Sequence, residues 1–464
     1  LSPKVGMVSG CALLVDYVLT IAISVASGAD AIFSFLPPSW YPYKLALALG
    51  GVVVLILLNL RGVKESVVPL IPIFLTFIIT HVFVIVYAVF MHAGRMPEII
   101  SGTYSEVQTA TSQLGFAGVL ILLVRAYSMG AGTYTGIEAV SNGMPILREP
   151  KVQTGKRTMR YMAVSLAFMA VGLMFAYLLY DADFQTGRTL NAVLFEKVTG
   201  HWGTAGYVFV FVALLSEAAI LFVAAQAGFL DGPRVLSSMA ADRWFPTKFT
   251  MLSDRFVTQN GILIMGGASL ILVLMTNGSV GYLVVLYSIN VFITFVLSQT
   301  GMVRHWWLFR GKVSHWKKKL AINGVGLVLT LTILISVVVA KFHEGGWITI
   351  LATGTLVILA TSIKRYYRKT ARLLKRLDTL VSAATEDVPP SPKDEPTVEF
   401  DPKAGTAVIL VNGFNGLGLH TLFGVIRLFK GTFKNFIFMQ VGVIDAGVFK
   451  GSEEMEKLKD EVKI

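Results

Sequence analysis

The sequence predicts an all-α polytopic membrane protein followed by a C-terminal cytosolic α/β domain. Of its 464 residues, 54% are hydrophobic and only 15% are charged, with a mean hydropathy of +0.68. Soluble domains carry about 25% charged residues, so this chain has too little charge to cover a soluble globule. The third observation is a series of apolar runs of the roughly 20 residues that a membrane-spanning helix needs. A disulfide scaffold is excluded because Cys11 is the single cysteine.

Ten apolar runs are the predicted spans, and none has the short apolar core and cleavage site of a signal peptide. Basic residues alternate between the loops that join them, with many in one set and few in the other. The positive-inside rule puts the basic set, and with it both chain ends, in the cytoplasm. The net charge of +12 is thus a topology signal that indicates a lipid bilayer, and no nucleic acid, as partner. The predicted spans are 6–27, 44–60, 67–91, 117–141, 160–180, 204–230, 260–276, 280–303, 320–341 and 346–363.

Three further segments follow the transmembrane domain, residues 1–363. Residues 364–383 are basic with apolar residues at helical spacing, which fits an amphipathic helix on the membrane surface or a solvated connecting helix. Residues 384–403 are rich in proline and acids and are typical of a linker. Residues 404–464 begin with a strand, a glycine-rich turn, a helix and a second strand, which predicts part of an α/β domain. That turn fits a plain βα turn better than a phosphate site.

Three acidic residues lie well inside predicted spans, where an ionisable group is costly and indicates function. Asp16 lies in the first span beside Tyr17, Thr20 and Ser24, whose spacing of i, i+3 and i+7 puts their hydroxyls on one helix face. Such a face can coordinate a dehydrated cation or guide a proton. Hydrogen bonding between membrane helices is the structural alternative for these hydroxyls.

The second embedded acid, Glu138, lies in a span that four glycines interrupt. Glycine lets a membrane helix unwind, and discontinuous helices bind ions with freed backbone groups. Thr135 lies three residues before Glu138, at the start of the second half-helix. Close glycine packing is the structural alternative.

The remaining polar residues of the spans are weaker candidates for a site. Glu217 and Gln226 lie in the sixth span, Arg125 lies in the outer half of the fourth, and Tyr282, Tyr287 and Asn290 lie in the eighth. His81 and His92 show no pattern of metal ligands. Motifs of hydrolases, metalloproteases, Walker-type ATPases and redox proteins are missing from the sequence, which predicts neither an enzyme nor a primary pump.

Several of these stretches together resemble the amino acid–polyamine–organocation (APC) transporter superfamily, which has an inverted-repeat bundle. The general match rests on TGIEAVSNGMP at 135–145, LLVDYVLTIAISVASG at 13–28 and LNLRGVKES at 58–66. Residues 228–246, 253–263 and 297–306 are similar to potassium importers of the KimA type, relatives of the KUP family. The resemblance implies that two helices of the family fold precede residue 1 and that the C-terminal domain is cut short.

The same resemblance implies proton-coupled potassium uptake across the plasma membrane, with K⁺ and H⁺ as cargo and no resident metal or cofactor. It implies ion ligation by Tyr17, Ser24, Thr135 and Tyr287, with Asp16, Thr20 and Glu138 along the ion and proton path. A homodimer held through the cytosolic domain, and cyclic di-AMP as its regulator, are further implications. Two alternatives stay open: a proton-coupled amino acid permease of the same superfamily, and a non-transporting membrane sensor with a nucleotide-binding tail.

Overall fold

The computed structural model describes residues 2–62, 70–130, 140–141, 143–144, 147–253, 257–379, 401–411 and 415–439. Long helices dominate these residues, and a short α/β unit follows them. The helices are α1 (Pro3–Phe33), α2 (Lys44–Leu60), α3 (Leu70–Met91), α4 (Met96–Met129), α5 (Lys151–Leu179), α6 (Leu190–Thr199), α7 (Thr204–Ala241), α8 (Gln259–Met275), α9 (Val280–Leu308), α10 (Trp316–Lys341) and α11 (Trp347–Leu374).

Eight helical segments in the described part are long and apolar enough to cross a membrane, which makes the chain a polytopic membrane protein. This number differs from the ten predicted spans at two places. Helix α8 has 17 residues, about 26 Å at 1.5 Å per residue, and is shorter than the usual span. The ninth and tenth predicted spans lie on one helical segment, Trp316–Asp378, which Gly345 interrupts with a φ of 106°.

Helix α1 is the centre of the bundle. It packs against α2, α7, α8, α9 and α11, and most of its side chains are buried. Its contact with α7 is close because Gly228 and Gly232 of α7 face Tyr17 and Ile21 of α1. Small residues let membrane helices approach each other in this way. A second apolar cluster joins α3, α5, α6 and α7, so α7 takes part in both clusters.

The C-terminal unit has strands β1 (Thr406–Leu410) and β2 (Asn435–Met439) on either side of helix α12 (Gly416–Leu428). The strands pair in parallel with Thr406 opposite Asn435, as expected for a β-α-β unit. The Asn415 side chain accepts a 2.9 Å hydrogen bond from the Gly418 amide and caps α12. Most of the glycine-rich turn (412–414), the linker 384–400 and the helix predicted from about 452 lie outside the described residues.

The basic segment after the last predicted span continues α11 without a break. Helix α11 runs to Leu374, and a 3₁₀ turn, Lys375–Asp378, extends it. Within the described part of residues 364–383, the connecting segment is therefore helical, as its spacing predicts.

Reciprocal hydrogen bonds between two buried amides join α2 to α7. Asn59 Nδ2 donates to Gln226 Oε1 at 2.9 Å, and Gln226 Nε2 donates to Asn59 Oδ1 at 2.8 Å. We expect Gln226→Leu to lower the free energy of unfolding by about 1–2 kcal/mol, because it leaves the Asn59 amide without its inter-helix partner. The double variant Asn59→Leu/Gln226→Leu should recover part of that loss. Denaturation of the purified protein in detergent measures both effects, and equal losses in the two variants would contradict this account.

Candidate functional site

The polar face predicted on the first span lies at the centre of the bundle. Asp16, Tyr17, Thr20 and Ser24 are all buried on α1. Their side chains therefore project into the protein and not toward lipid. Burial of a carboxyl group and three hydroxyls around two helical turns produces a polar region inside an apolar bundle, which costs free energy unless the groups serve a ligand or each other.

Thr20 differs from most hydroxyl residues of the described helices. Serine and threonine in a helix usually donate to the carbonyl three or four residues earlier, as Thr80, Ser216 and Thr294 do. Thr20 is 8% exposed, and its Oγ1 has no hydrogen-bond partner among the described residues. A buried hydroxyl in this condition is a candidate ligand for a bound ion or water.

Tyr287 and Asn290 lie on the part of α9 that faces α1, and both are fully buried. The Asn290 amide donates to the Ala12 carbonyl, one turn before Asp16 on α1. Its Oδ1 accepts a 3.1 Å hydrogen bond from Thr353 of α11. Asn290 therefore joins three helices beside the predicted face, a role that the sequence did not show because its partners are distant in the chain.

Two other polar residues, Ser269 and Tyr282, differ in whether they contact α1. Ser269 of α8 donates to the Val18 carbonyl of α1 at 3.0 Å, so a hydroxyl outside the predicted site also contacts the backbone of α1. Tyr282, a weak candidate from the sequence, is 61% exposed on α9 and lies away from the site.

The other half of the predicted site belongs to the fourth predicted span. Thr135 and Glu138 lie outside the described residues, as does most of the glycine-rich span around them. Near the start of that span, Arg125 of α4 forms a 3.1 Å ion pair with Glu344, in the turn between α10 and α11. Arg125 thus connects α4 to this turn.

The third embedded acid, Glu217, lies apart from the α1 face, on α7 next to α3. His81 Nε2 lies 3.9 Å from Glu217 Oε2, and the His81 side chain is fully buried. No pattern in the sequence links His81 to Glu217, because only the packing of α3 on α7 brings them together. No group of three or more residues suited to hold a metal ion occurs within the described residues.

Comparisons with known proteins agree with the resemblance drawn from the motifs. Residues 1–360 match a family model described as amino acid permease. Over 382 residues, 82% of this chain, the sequence is 32% identical to the potassium transporter KimA of Bacillus subtilis (strain 168). The chain spans 60% of the length of that relative.

Proposed function

The chain belongs to the amino acid permease family, and from this premise we propose that it is a secondary active transporter for proton-coupled potassium uptake. Membership of this family indicates a multi-pass transporter of the plasma membrane and not an enzyme. Its Bacillus subtilis relative is named as a potassium transporter, which favours K⁺ over an amino acid as the cargo. In this proposal the protein works by alternating access around a site on α1.

The observation that carries the proposal is the buried polar face of α1, with a Thr20 hydroxyl that has no partner in the described part of the chain. Potassium sites replace the water shell of the ion by hydroxyl and carbonyl oxygens. Tyr17, Thr20 and Ser24 would supply such oxygens from one helix. The Asp16 carboxylate would balance the charge of the dehydrated ion, which is expensive to bury alone.

Tyr287 fits the same site by its level in the bundle. It lies one turn before Asn290 on α9, while Asp16 lies one turn after Ala12 on α1, and Asn290 contacts Ala12. In the proposed topology, α1 and α9 cross the membrane in opposite directions. Tyr287 and Asp16 therefore lie on the same side of the Asn290–Ala12 contact along the membrane normal. We therefore include Tyr287, together with Thr135 and Glu138 on the family resemblance, in the proposed ion and proton path.

The proposed topology has ten spans with both chain ends in the cytoplasm. Support for separating α10 from α11 comes from their shared neighbour α9. Ile333 and Val337 of α10 pack on Ile289 and Phe292 of α9, and Thr349 of α11 bonds the Leu286 carbonyl at 3.0 Å. Both helices thus contact the same stretch of α9, which supports a reversal of the chain at the Gly345 turn and two separate crossings in this proposal.

The C-terminal segment would act as a cytosolic α/β domain in this proposal. Its support is the parallel β1–α12–β2 unit, an arrangement typical of α/β domains. We also propose that this domain holds a homodimer together and that cyclic di-AMP binds it as a regulator. Binding of the nucleotide without any ion flux would instead favour the membrane sensor.

Uptake by the reconstituted protein decides between the functions. Liposomes with an imposed proton gradient are given rubidium, as a tracer for potassium, or a mixture of amino acids. We expect rubidium uptake that a protonophore abolishes. Uptake of an amino acid without rubidium would replace the proposal by a proton-coupled amino acid permease.

Replacement of Thr20 by valine tests the α1 face directly, because valine keeps the shape of the side chain and removes its hydroxyl. We expect rubidium uptake at low concentration to fall about tenfold, the effect of one lost ligand of about 1–2 kcal/mol. Thr294→Val is the matched control, since Thr294 is equally buried and already donates to the Val291 carbonyl at 2.7 Å. Equal uptake by the two variants would exclude the Thr20 hydroxyl from the site.

A further inference from the structure

A second polar cluster lies inside the helix bundle, away from the α1 face. It consists of His81 on α3, Tyr177 on α5, Asn191 on α6 and Glu217 on α7, and we call it the His81–Glu217 cluster. The rings of Phe77 and Phe195 lie 4.0 and 5.1 Å from the His81 ring, and Tyr177 packs against the apolar cluster that contains Phe195. The proposed ion site makes no use of these four residues, although one of them is an acid in the middle of a predicted span.

The tautomer of His81 follows from its backbone contact. His81 Nδ1 lies 2.8 Å from the Phe77 carbonyl oxygen, which can only accept a hydrogen bond, so Nδ1 carries the hydrogen. In a neutral ring, Nε2 then presents a lone pair. This atom lies 3.9 Å from Glu217 Oε2, and within the described residues neither atom has a hydrogen-bond partner.

Two side chains that are hydrogen-bonded to each other lie on another side of the Glu217 carboxyl group. Tyr177 Oη donates to Asn191 Oδ1 at 2.5 Å, which leaves the Asn191 amide hydrogens for another acceptor. Asn191 also lies beside the Glu217 carboxyl group. The Glu217 carboxyl group therefore lies next to side chains of α5 and α6, while its Oε2 faces the imidazole of α3.

Two lone-pair atoms that face each other in apolar surroundings repel, and one proton between them removes the repulsion. We propose that His81 and Glu217 form a proton-binding site, separate from the α1 face, that takes up and releases a proton during transport. The ligand is the proton itself, held either as the carboxylic acid facing Nε2 or as the imidazolium facing the carboxylate. The part of this proposal that concerns transport depends on the proposed function.

The basic residues of α5 all lie at or before Arg160, at least 17 residues or about 25 Å along the helix from Tyr177. The charged groups nearer the cluster are already paired. On α6, Glu196 pairs with Arg188, and Lys197 donates to the carbonyls of Tyr180 and Asp181. On α1, Asp30 forms an ion pair with Lys44 of α2.

Over their described lengths, helices α5 and α8 place no further charged group beside His81 and Glu217. Tyr177 is the titratable group that α5 contributes to the cluster, and α8 carries none along its length. Within the described residues, the charge of the pair is therefore set by the proton that it binds.

Helix α7 connects this cluster to the proposed ion site. Glu217 and Gly228 lie on the same unbroken helix, about 16 Å apart along its axis at 1.5 Å per residue. Gly228 contacts the backbone of α1 at Tyr17. A buried pair that changes its protonation favours the conformation in which the new charge state is better solvated, and α7 would transmit that preference to α1.

The test combines infrared spectroscopy with transport by the full-length protein. Acid-minus-neutral infrared difference spectra of the purified protein report a buried carboxyl group as a separate C=O component. We expect Glu217→Gln to lose one such component, and proton-driven accumulation of rubidium to be lost while rubidium–rubidium exchange continues. Glu196→Gln, which changes an acid about half exposed on the neighbouring α6, should keep both properties. His81→Gln leaves the carboxyl group in place and should shift its component, because the group loses the imidazole it faces.

The outcomes separate the site from the proposed function. Retention of the infrared component in Glu217→Gln, or an unshifted component in His81→Gln, would overturn the proton site. Loss of the component with unchanged accumulation would overturn its role in transport. A wild-type protein that has the component but transports no rubidium would refute the potassium proposal and leave the proton site standing.

Discussion

Asp16→Asn is expected to reduce both rubidium uptake and rubidium exchange strongly. Asp16 is buried at the centre of the α1 face, where its carboxylate would be the counter-charge for a dehydrated cation. A neutral amide of the same shape leaves the ion uncompensated in a region of low dielectric, where unpaired charges cost several kcal/mol. We expect uptake to fall by about a hundredfold, as an effect of about 3 kcal/mol implies.

The control for Asp16→Asn is Asp30→Asn, on the same helix. Asp30 pairs with Lys44 at 2.5 Å and is partly exposed, so it lies outside the proposed site. We expect Asp30→Asn to retain wild-type transport apart from a small loss of stability. Rubidium flux is measured in liposomes with equal amounts of folded protein. Full proton-coupled uptake by Asp16→Asn would remove this residue from the mechanism. Loss of rubidium exchange in Asp16→Asn, together with its retention in Glu217→Gln, would distinguish the ion site on α1 from the His81–Glu217 cluster.

Gly228→Ala is expected to destabilise the bundle and weaken ion binding together. A Cβ atom at Gly228 would lie 2.5 Å from Ile21 Cγ1 and 2.8 Å from the Tyr17 carbonyl oxygen. The Ile21 side chain can turn aside, but the Tyr17 backbone cannot yield unless α1 moves. Overpacking of this kind costs about 1–3 kcal/mol. Because Tyr17 and Thr20 move with α1, the half-saturation concentration for rubidium should rise as well.

Gly267→Ala on α8 is the matched control for this variant. No atom lies within 4 Å of a Cβ placed at Gly267. Both substitutions gain the same helix propensity of up to about 1 kcal/mol, so their difference isolates the contact between α7 and α1. Denaturation in detergent and the concentration dependence of uptake are measured for both. Indistinguishable results for the two variants would contradict the close approach of these helices.

Periodicity and composition predicted the helical membrane fold and one face of the candidate site. Apolar runs identified the spans because each must meet lipid or other helices along its whole length. The spacing of Tyr17, Thr20 and Ser24 predicted that they share a face, and all three are buried beside Asp16. The division of Trp316–Asp378 into two spans also came from composition, and the contacts of α10 and α11 with α9 support it.

Other features depend on which helices meet, and no local pattern encodes that. The sequence by itself determined which residues are embedded, because the cost of placing a carboxyl group in an apolar span is a local property. Only the tertiary structure decided their partners: Asn290 with the backbone of α1, Asn59 with Gln226, and Glu217 with His81. The physical reason is that helix periodicity orients a side chain about its own axis, whereas its neighbour is selected by the packing of small residues such as Gly228 between distant helices.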